Sequence, residues 1–333
     1  MNEIEVEKQY RSVINRIAGT LLIFLLIANI LALVSMLLVE IWDAYLIEIA
    51  AQIATSLTDG LVYTLSFLLP VCFFRLMSRG KPSEPMKLSP RLPRATFAYI
   101  FAGMAVILAA AYLNYYTISF TGYSEFAAEN LWKDTYGTPQ EIVMSFLTMA
   151  IIPAFVEEFL FRGLILTNLR PFGRGGAIVG SAVLFGLMHQ NIQQIFYATV
   201  AGLVLGYIYE ATDSIWCGIL LHLVNNAFSV FESAIVARWR EETAERVCVL
   251  AEGAIFGLGL ICLIWLICRK KQTPDFSDGC FDKSLPTSPD YTPCELSGKR
   301  KVSLFFSPLM IAFIALCVST MLTYVVMAVL YGY

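Results

Sequence analysis

Residues 142–167 read IVMSFLTMAIIPAFVEEFLFRGLILT, an apolar stretch interrupted by Glu157, Glu158 and Arg162. A transmembrane helix needs about 20 mostly apolar residues, and this stretch is long enough. Ionisable side chains at bilayer depth are costly, seldom face lipid and mark functional sites by default. The stretch therefore predicts a membrane helix whose charged side chains face the protein interior.

The whole chain shares this apolar character. Of its 333 residues, 58% are hydrophobic and 15% are charged, whereas a soluble domain has roughly 45–50% and about 25%. The formal net charge of −3 provides no basic surplus, which argues against nucleic acid as a partner. We therefore expect an all-α fold, a single polytopic bundle of transmembrane helices surrounded by membrane lipid.

Long apolar blocks predict about nine transmembrane spans. They are residues 17–39, 60–74, 95–116, 142–167, 177–189, 195–209, 214–231, 247–268 and 304–331. Residues 272–302 are polar and contain several prolines, so they are predicted to form a flexible loop. The polar run His189–Gln194 must be buried in protein or line a wet cavity. Glu40–Asp59 fits either an interfacial segment or a helical extension of the first span.

The charges of the connecting segments predict the orientation. Residues 75–94 are rich in Arg and Lys, whereas residues 125–141 are rich in acidic side chains. The positive-inside rule places the basic connection in the cytoplasm. We therefore expect a multi-pass integral membrane protein of a bacterial plasma membrane, with its N-terminus in the cytoplasm and Tyr333 outside.

The charged residues of the fourth span differ in their helical positions. Glu158 and Arg162 have the i,i+4 spacing that lets them pair on one helix face, while Glu157 is turned about 100° away and remains available. A buried ion pair that fixes helix packing is the structural alternative for Glu158 and Arg162. Pro153, one turn earlier, lacks a backbone N–H and is expected to kink the helix.

Both histidines of the chain lie in apolar blocks. His189 ends one block four residues after Phe185, and His222 stands one turn before Asn226 in another. Helical rise places Glu157, His189 and His222 at similar depths. A carboxylate, two imidazoles and a carboxamide that converge in a cavity form a candidate acid/base site.

At these residues the sequence resembles the CPBP family, which includes type II CAAX prenyl proteases and bacteriocin-processing or immunity (ABI-like) membrane proteins. The family motifs E-E-x-x-x-R, F-x-x-x-H and H-x-x-x-N correspond to Glu157–Arg162, Phe185–His189 and His222–Asn226. The three motifs occur in the family order, each in a predicted span. Together they are a specific signal.

The resemblance covers about residues 140–235, which it identifies as a helical catalytic core. Residues 1–139 and 236–333 would then supply flanking transmembrane helices, the latter together with the polar loop. The resemblance implies an intramembrane endopeptidase that cleaves peptide or protein substrates near the cytoplasmic face. Prenylated CAAX proteins and bacteriocin-type peptides are both compatible substrates.

The resemblance also implies roles for individual residues. Glu157, helped by His189, would activate a water for attack on the scissile carbonyl, and His222 and Asn226 would stabilise the oxyanion. The supporting residues are Glu158, Arg162 and Phe185. This mechanism requires no cofactor.

A second mechanism proposed for the family binds zinc through Glu157, His189 and His222. The sequence contains no His-Glu-x-x-His motif, which favours the metal-free mechanism. Two other functions stay open, namely a proton- or ion-coupled transporter and a non-catalytic immunity protein on the same frame. A transporter is expected to have broken helices in paired halves, whereas the sequence shows one broken region.

Overall fold

The computed structural model describes residues 3–79, 88, 92–120, 137–269 and 296–331. Most of the predicted basic connection, most of the predicted acidic connection, most of the polar loop and Tyr333 lie outside the described residues. The predictions that concern only those segments therefore remain predictions.

The described residues form helices and contain no strand. The helices are α1 (Glu3–Tyr45), α2 (Glu48–Met77), α3 (Thr96–Phe120), α4 (Pro139–Phe172), α5 (Arg174–Met188), α6 (Ile192–Thr212), α7 (Ile215–Arg238), α8 (Glu241–Cys268), α9 (Gly298–Phe305) and α10 (Pro308–Tyr331). Among the described residues, eight helices are long and apolar enough to cross a membrane, and α5 is apolar but has only 15 residues. The predicted polytopic helical bundle is confirmed.

Helix α5 is the predicted span that differs from the others. Its 15 residues extend about 22 Å at 1.5 Å per residue, which is less than the bilayer core of about 30 Å. It ends at Met188, and Gln190 has a φ of 50°, a left-handed conformation that is uncommon for a residue other than glycine. The chain therefore turns at the polar run that the sequence marked as a break.

Two predicted segments have different bounds in the structure. Glu40–Asp59 is helical, because α1 continues to Tyr45 and α2 begins at Glu48. The two helices are linked by Ser35 Oγ of α1, which donates to Asp59 Oδ1 of α2 at 2.7 Å. The predicted extension of the first span therefore holds for residues 40–45 only, and residues 48–59 begin the second helix.

The predicted flexible loop 272–302 is wrong at its end, because residues 298–302 belong to α9. Ser297 caps this helix by accepting a hydrogen bond from the Arg300 backbone N–H at 3.3 Å, and Leu304 is buried. The last span begins at Pro308 instead of Leu304. Proline suits a first helical position, since its missing N–H would have no intrahelical acceptor there.

Helix α4 lies centrally and contacts α2, α5, α6 and α7. Its backbone is irregular, with π-helical segments at Phe146–Ile151 and Phe159–Leu166 on either side of the α-helical segment Ile152–Glu158. Pro153 stands at the start of that middle segment. The distortion expected at Pro153 thus takes the form of a π-helical segment that ends just before it. Such segments occur frequently at functional sites.

One end of the bundle, here named the basic end, joins the start of α1, the ends of α2 and α4, and the starts of α5 and α9. Arg16 Nη1 donates to Ser78 Oγ at 2.7 Å, and the rings of Tyr10 and Phe172 lie 4.8 Å apart. The described Arg and Lys residues at this end include Arg11, Arg16, Arg75, Arg79, Arg170, Arg174, Lys299, Arg300 and Lys301. This arrangement agrees with the alternating order of spans expected from the sequence.

Candidate active site

The site begins with the buried pair on α4. Glu158 and Arg162 are fully buried, and Arg162 Nη1 donates to Glu158 Oε1 at 2.7 Å, which confirms the predicted i,i+4 pairing. Arg162 Nη2 donates to the backbone carbonyl of Gly202 on α6 at 3.0 Å. The guanidinium also lies 4.8 Å from the ring centroid of Phe185 on α5. The three predicted supporting side chains therefore tie α4 to α5 and α6.

His222 on α7 lies between the two carboxylates. Its Nδ1 is 3.1 Å from Glu158 Oε1, and its Nε2 is 3.7 Å from Glu157 Oε2. Gly218, one turn earlier, allows α7 to approach α4, because a Cβ there would lie 2.9 Å from Glu158 Oε2. The first and third motifs thus meet through an imidazole and two carboxylates.

Glu157 is 5% exposed, and its two oxygens have different surroundings. Oε1 accepts a hydrogen bond from the Tyr63 hydroxyl of α2. Oε2 is buried and has no hydrogen-bond partner among the described residues. A buried acceptor without a protein partner is the arrangement that an ordered water satisfies.

A cavity of about 70 Å³ lies at Glu157. A water needs roughly 10–15 Å³ of such space, so the cavity has room for several. Its lining contains the four predicted catalytic residues together with other polar and apolar side chains: Ile107, Glu157, Phe185, His189, Tyr197, Ala198, Ala201, Leu205, His222, Asn225 and Asn226. The structure therefore brings all three motifs to one cavity.

His189 reaches this cavity from the end of α5. Its Nδ1 lies 2.9 Å from the backbone carbonyl of Phe185. Because a carbonyl can only accept, Nδ1 carries the proton, and Nε2 is the acceptor when the ring is neutral. The Phe185 ring contacts His189 edge to face at 5.0 Å and lies 6.0 Å from the His222 ring, so it packs against both imidazoles.

Asn226 is held by groups on α4 and α7. Its Nδ2 donates to the carbonyl of Met149, in the first π-helical segment, at 3.0 Å. Its Oδ1 accepts from Asn225 Nδ2 at 3.1 Å, and Asn225 in turn contacts the hydroxyl of Tyr197. These bonds fix the carboxamide at the wall of the cavity.

The sequence reasoning missed Tyr63, Tyr197 and Asn225. Asn225 adjoins Asn226 in a predicted span, and that polar neighbour was a usable signal. Tyr63 precedes Glu157 by 94 residues, and no spacing rule relates residues on separate helices. Tyr197 is similarly one of several tyrosines in the apolar blocks.

The zinc alternative requires Glu157, His189 and His222 to act as one ligand group. Among the described residues, no group of three or more His, Cys, Asp and Glu side chains is placed to hold a metal ion. His222 Nδ1 lies against Glu158 and His189 Nδ1 against a backbone carbonyl. Zinc-bound histidines also make such Nδ1 contacts and bind the metal through Nε2, so these contacts do not separate the two mechanisms.

Comparisons with known proteins give a match over the part of the chain that contains these residues. Residues 139–228 match the family described as type II CAAX prenyl endopeptidase Rce1-like. The chain is also 23% identical over 183 residues to YdiL of Bacillus subtilis (strain 168), a protein named as a candidate membrane peptidase. That similarity covers 52% of this chain and 71% of YdiL. No solved structure gives a significant match.

Proposed function

From the membership of this chain in the CPBP family, we propose that it hydrolyses peptide bonds within the bilayer by means of a water activated by Glu157 and His189. The observation that carries the proposal is the convergence of Glu157, His189, His222 and Asn226 on one cavity large enough for water. The family match supports a membrane peptidase at the level of reaction class. The catalytic roles below are part of the proposal.

The first step is activation of the water. The free oxygen of Glu157 accepts a proton from a water in the cavity, and Nε2 of a neutral His189 orients that water by accepting a hydrogen bond from its other O–H. The oxygen attacks the scissile carbonyl carbon, and the carbonyl oxygen becomes an oxyanion. General base catalysis of this kind contributes about 10²–10⁴-fold to a rate.

The second step is collapse of the tetrahedral intermediate. The proton held by Glu157 passes to the amide nitrogen, the C–N bond breaks, and the products are a carboxylic acid and an amine. The acid and the amine both form in the cavity, and this hydrolysis requires no oxidant or reductant. Glu157 returns to its charged form for the next cycle.

His222 and Asn226 are proposed to stabilise the oxyanion. With Nδ1 against Glu158, a protonated His222 presents Nε2–H to the cavity. Its positive charge and that of Arg162 would then balance Glu157 and Glu158, which reduces the cost of burying these ions. The Asn226 amide has two N–H groups, so the bond to Met149 leaves one for the oxyanion. Fixed donors in a dry site stabilise developing charge strongly.

The experiment is cleavage of fluorogenic peptides by the full-length protein in liposomes. The peptide set pairs each prenylated C-terminal peptide with its unprenylated counterpart and includes unrelated hydrophobic peptides. Glu157→Gln should lower kcat about 10²–10⁴-fold, and His189→Ala and His222→Ala should also be defective. Glu141→Gln is the matched control, because Gln retains the capping box at the start of the same helix. Equal cleavage by all variants would overturn the proposal.

Chelation separates the two family mechanisms in the same preparation. The metal-free mechanism predicts unchanged cleavage after treatment with a strong chelator. Loss of activity that zinc restores, without restoration in Glu157→Gln, would instead establish metal dependence at this site.

A further inference from the structure

An open groove with a volume of about 510 Å³ lies at the basic end, outside the candidate active site. We name it the basic-end groove. Its lining comes from the starts of α1 and α5, the end of α4, and α9 with the residue that follows it: Tyr10, Leu169, Phe172, Gly173, Arg174, Gly175, Gly176, Ala177, Val179, Gly180, Val183, Gly298, Lys301, Val302, Phe305 and Phe306. This volume is within the range of ligand sites, about 300–1,000 Å³.

The groove is apolar along most of its length. Val179 and Val183 on α5 and Phe306 after α9 are among the exposed large hydrophobic side chains. Gly180 brings the two walls together, since a Cβ there would lie 3.4 Å from both Leu169 and Phe305. In a bilayer this groove is next to lipid chains. An acyl chain can enter it without losing polar contacts, because it exchanges one apolar environment for another.

One cation in the groove is available to a ligand. Lys301 contributes to the lining, and among the described residues its ammonium has no hydrogen bond or ion pair. Two neighbouring basic residues, in contrast, have acidic partners. Arg300 Nη2 donates to Glu7 Oε2 at 2.7 Å, and Arg174 Nε lies 3.5 Å from Glu210 Oε2. The hydrogen bond to Glu7 raises the pKa of Arg300, so that pair stays charged.

The start of α5 adds to the positive potential of the groove that Lys301 also lines. This helix begins after Gly173 without a side-chain cap, and Gly175 and Gly176 line the groove. The N-terminus of a helix carries a partial positive charge. Arg174, although paired with Glu210, contributes charge at the same place. A negatively charged group beside Lys301 is therefore favoured over a neutral one.

We propose that the basic-end groove binds one anionic phospholipid, with its phosphate at Lys301 and the start of α5 and an acyl chain along Val179 and Val183. Charge complementarity selects the headgroup, and the apolar walls accept the chain. The site is separate from the candidate active site and does not depend on proteolytic activity. Basic residues next to membrane helices attract anionic lipids, by about 1 kcal/mol for each Lys or Arg.

The test uses the full-length protein in nanodiscs with equal amounts of phosphatidylglycerol and phosphatidylcholine that carry the same acyl chains. Native mass spectrometry then counts the lipids that stay bound after release. The wild type should retain phosphatidylglycerol in preference to phosphatidylcholine. Lys301→Gln should reduce that preference about fivefold, the equivalent of one basic contact.

Lys299→Gln is the matched control, since Lys299 belongs to the same helix and does not line the groove. It should leave the preference unchanged. Val179→Trp should reduce retention of both lipids by filling the groove. Val249→Trp, at a position of similar exposure on α8 (55% against 53%), should not.

Three results would overturn the proposal. Equal effects of Lys301→Gln and Lys299→Gln would mean that the surface charge of α9 attracts lipid without a defined site. If the wild type retains the two lipids equally, or retains neither lipid, the groove does not select a lipid by its headgroup. Displacement of phosphatidylglycerol by inorganic phosphate alone would indicate an anion site that does not need the acyl chain.

Discussion

At the residue scale, the contact between Tyr63 and Glu157 predicts a positioning role for a residue that lies outside the three motifs. The Tyr63 hydroxyl donates to Glu157 Oε1, which leaves Oε2 toward the cavity. Tyr63→Phe removes this hydrogen bond and retains the ring contact with Phe67 at 4.9 Å. A bond to a charged group is worth about 1.5–3 kcal/mol, so kcat should fall about tenfold or more while KM changes little.

Steady-state cleavage kinetics check this prediction, and the split between kcat and KM distinguishes positioning from substrate binding. Tyr116→Phe is the control, because Tyr116 packs against Tyr115 on an exposed part of α3. An unchanged kcat in Tyr63→Phe would show that Glu157 is oriented without this hydroxyl.

The pair Glu158–Arg162 gives a second prediction, which concerns stability. Removing one partner of a buried ion pair leaves an uncompensated charge and costs about 3–5 kcal/mol. Arg162→Ala should therefore lower the thermal unfolding temperature and the yield of folded protein. The double variant Glu158→Gln with Arg162→Met should recover part of the stability without activity, since His222 also depends on Glu158.

The control for this pair is Glu242–Arg246 on α8, which has the same spacing but side chains that are 80% and 74% exposed. Exposed pairs contribute about 0–1 kcal/mol, so Arg246→Ala should unfold at nearly the wild-type temperature. Similar losses in Arg162→Ala and Arg246→Ala would argue that burial does not decide the strength of these pairs.

These residues also show which contacts a sequence can predict. The Glu158–Arg162 bond follows from helical geometry alone, because residues four apart always face each other. For His222 the sequence predicted only a depth in the membrane similar to that of Glu157. It did not predict that the imidazole contacts both Glu157 and Glu158. Tyr63 could not be found in this way, since its contact depends on how α2 is rotated against α4.

At the element scale, the approach of α5 to α6 predicts the effect of a single methyl group. A Cβ at Gly186 would lie 2.1 Å from Thr199 Oγ1 and 2.8 Å from the backbone carbonyl of Ile195. Gly186→Ala must therefore push α5 away from α6 and displace His189, three residues later. Cleavage activity should fall about 10²-fold, as expected for a displacement of about 1 Å at a reacting group.

Gly180→Ala, on the same helix, is the comparison, because its nearest contacts at 3.4 Å are side-chain atoms that can adjust. It should retain most of the activity. If both variants cleave at the wild-type rate, close contact between these helices is not needed to place His189.

The helices themselves were predictable to a large degree, because apolar blocks long enough for a bilayer must fold as helices. Their ends were less predictable. Helix α1 has 43 residues, and its extension past the apolar block is held by contacts with α2 such as Trp42 to Thr58 at 3.3 Å. The π-helical segments of α4 were also not foreseen, since one inserted residue per turn leaves no periodic trace in an apolar sequence.

At the scale of the whole molecule, the distribution of charge predicts the orientation in the membrane. The opposite end from the basic end carries Arg238, Arg240 and Arg246 among its described basic residues, together with acidic ones such as Glu241 and Glu242. Arg238 Nε donates to the carbonyl of Gly137 at 2.9 Å, which places the end of α7 and the start of α4 together there. The positive-inside rule then puts the basic end in the cytoplasm.

Single cysteines in a background without the eight native ones measure this orientation in sealed right-side-out vesicles. Gln140→Cys, at the start of α4, should react with a membrane-impermeant maleimide, and Ser303→Cys, on α9, should react only after the vesicles are opened. Both positions are exposed, so detergent-solubilised protein controls for intrinsic reactivity. The opposite pattern would place the basic-end groove in the outer leaflet. It would also mean that contacts among the helices, and not the Lys and Arg residues of the connecting segments, set the topology.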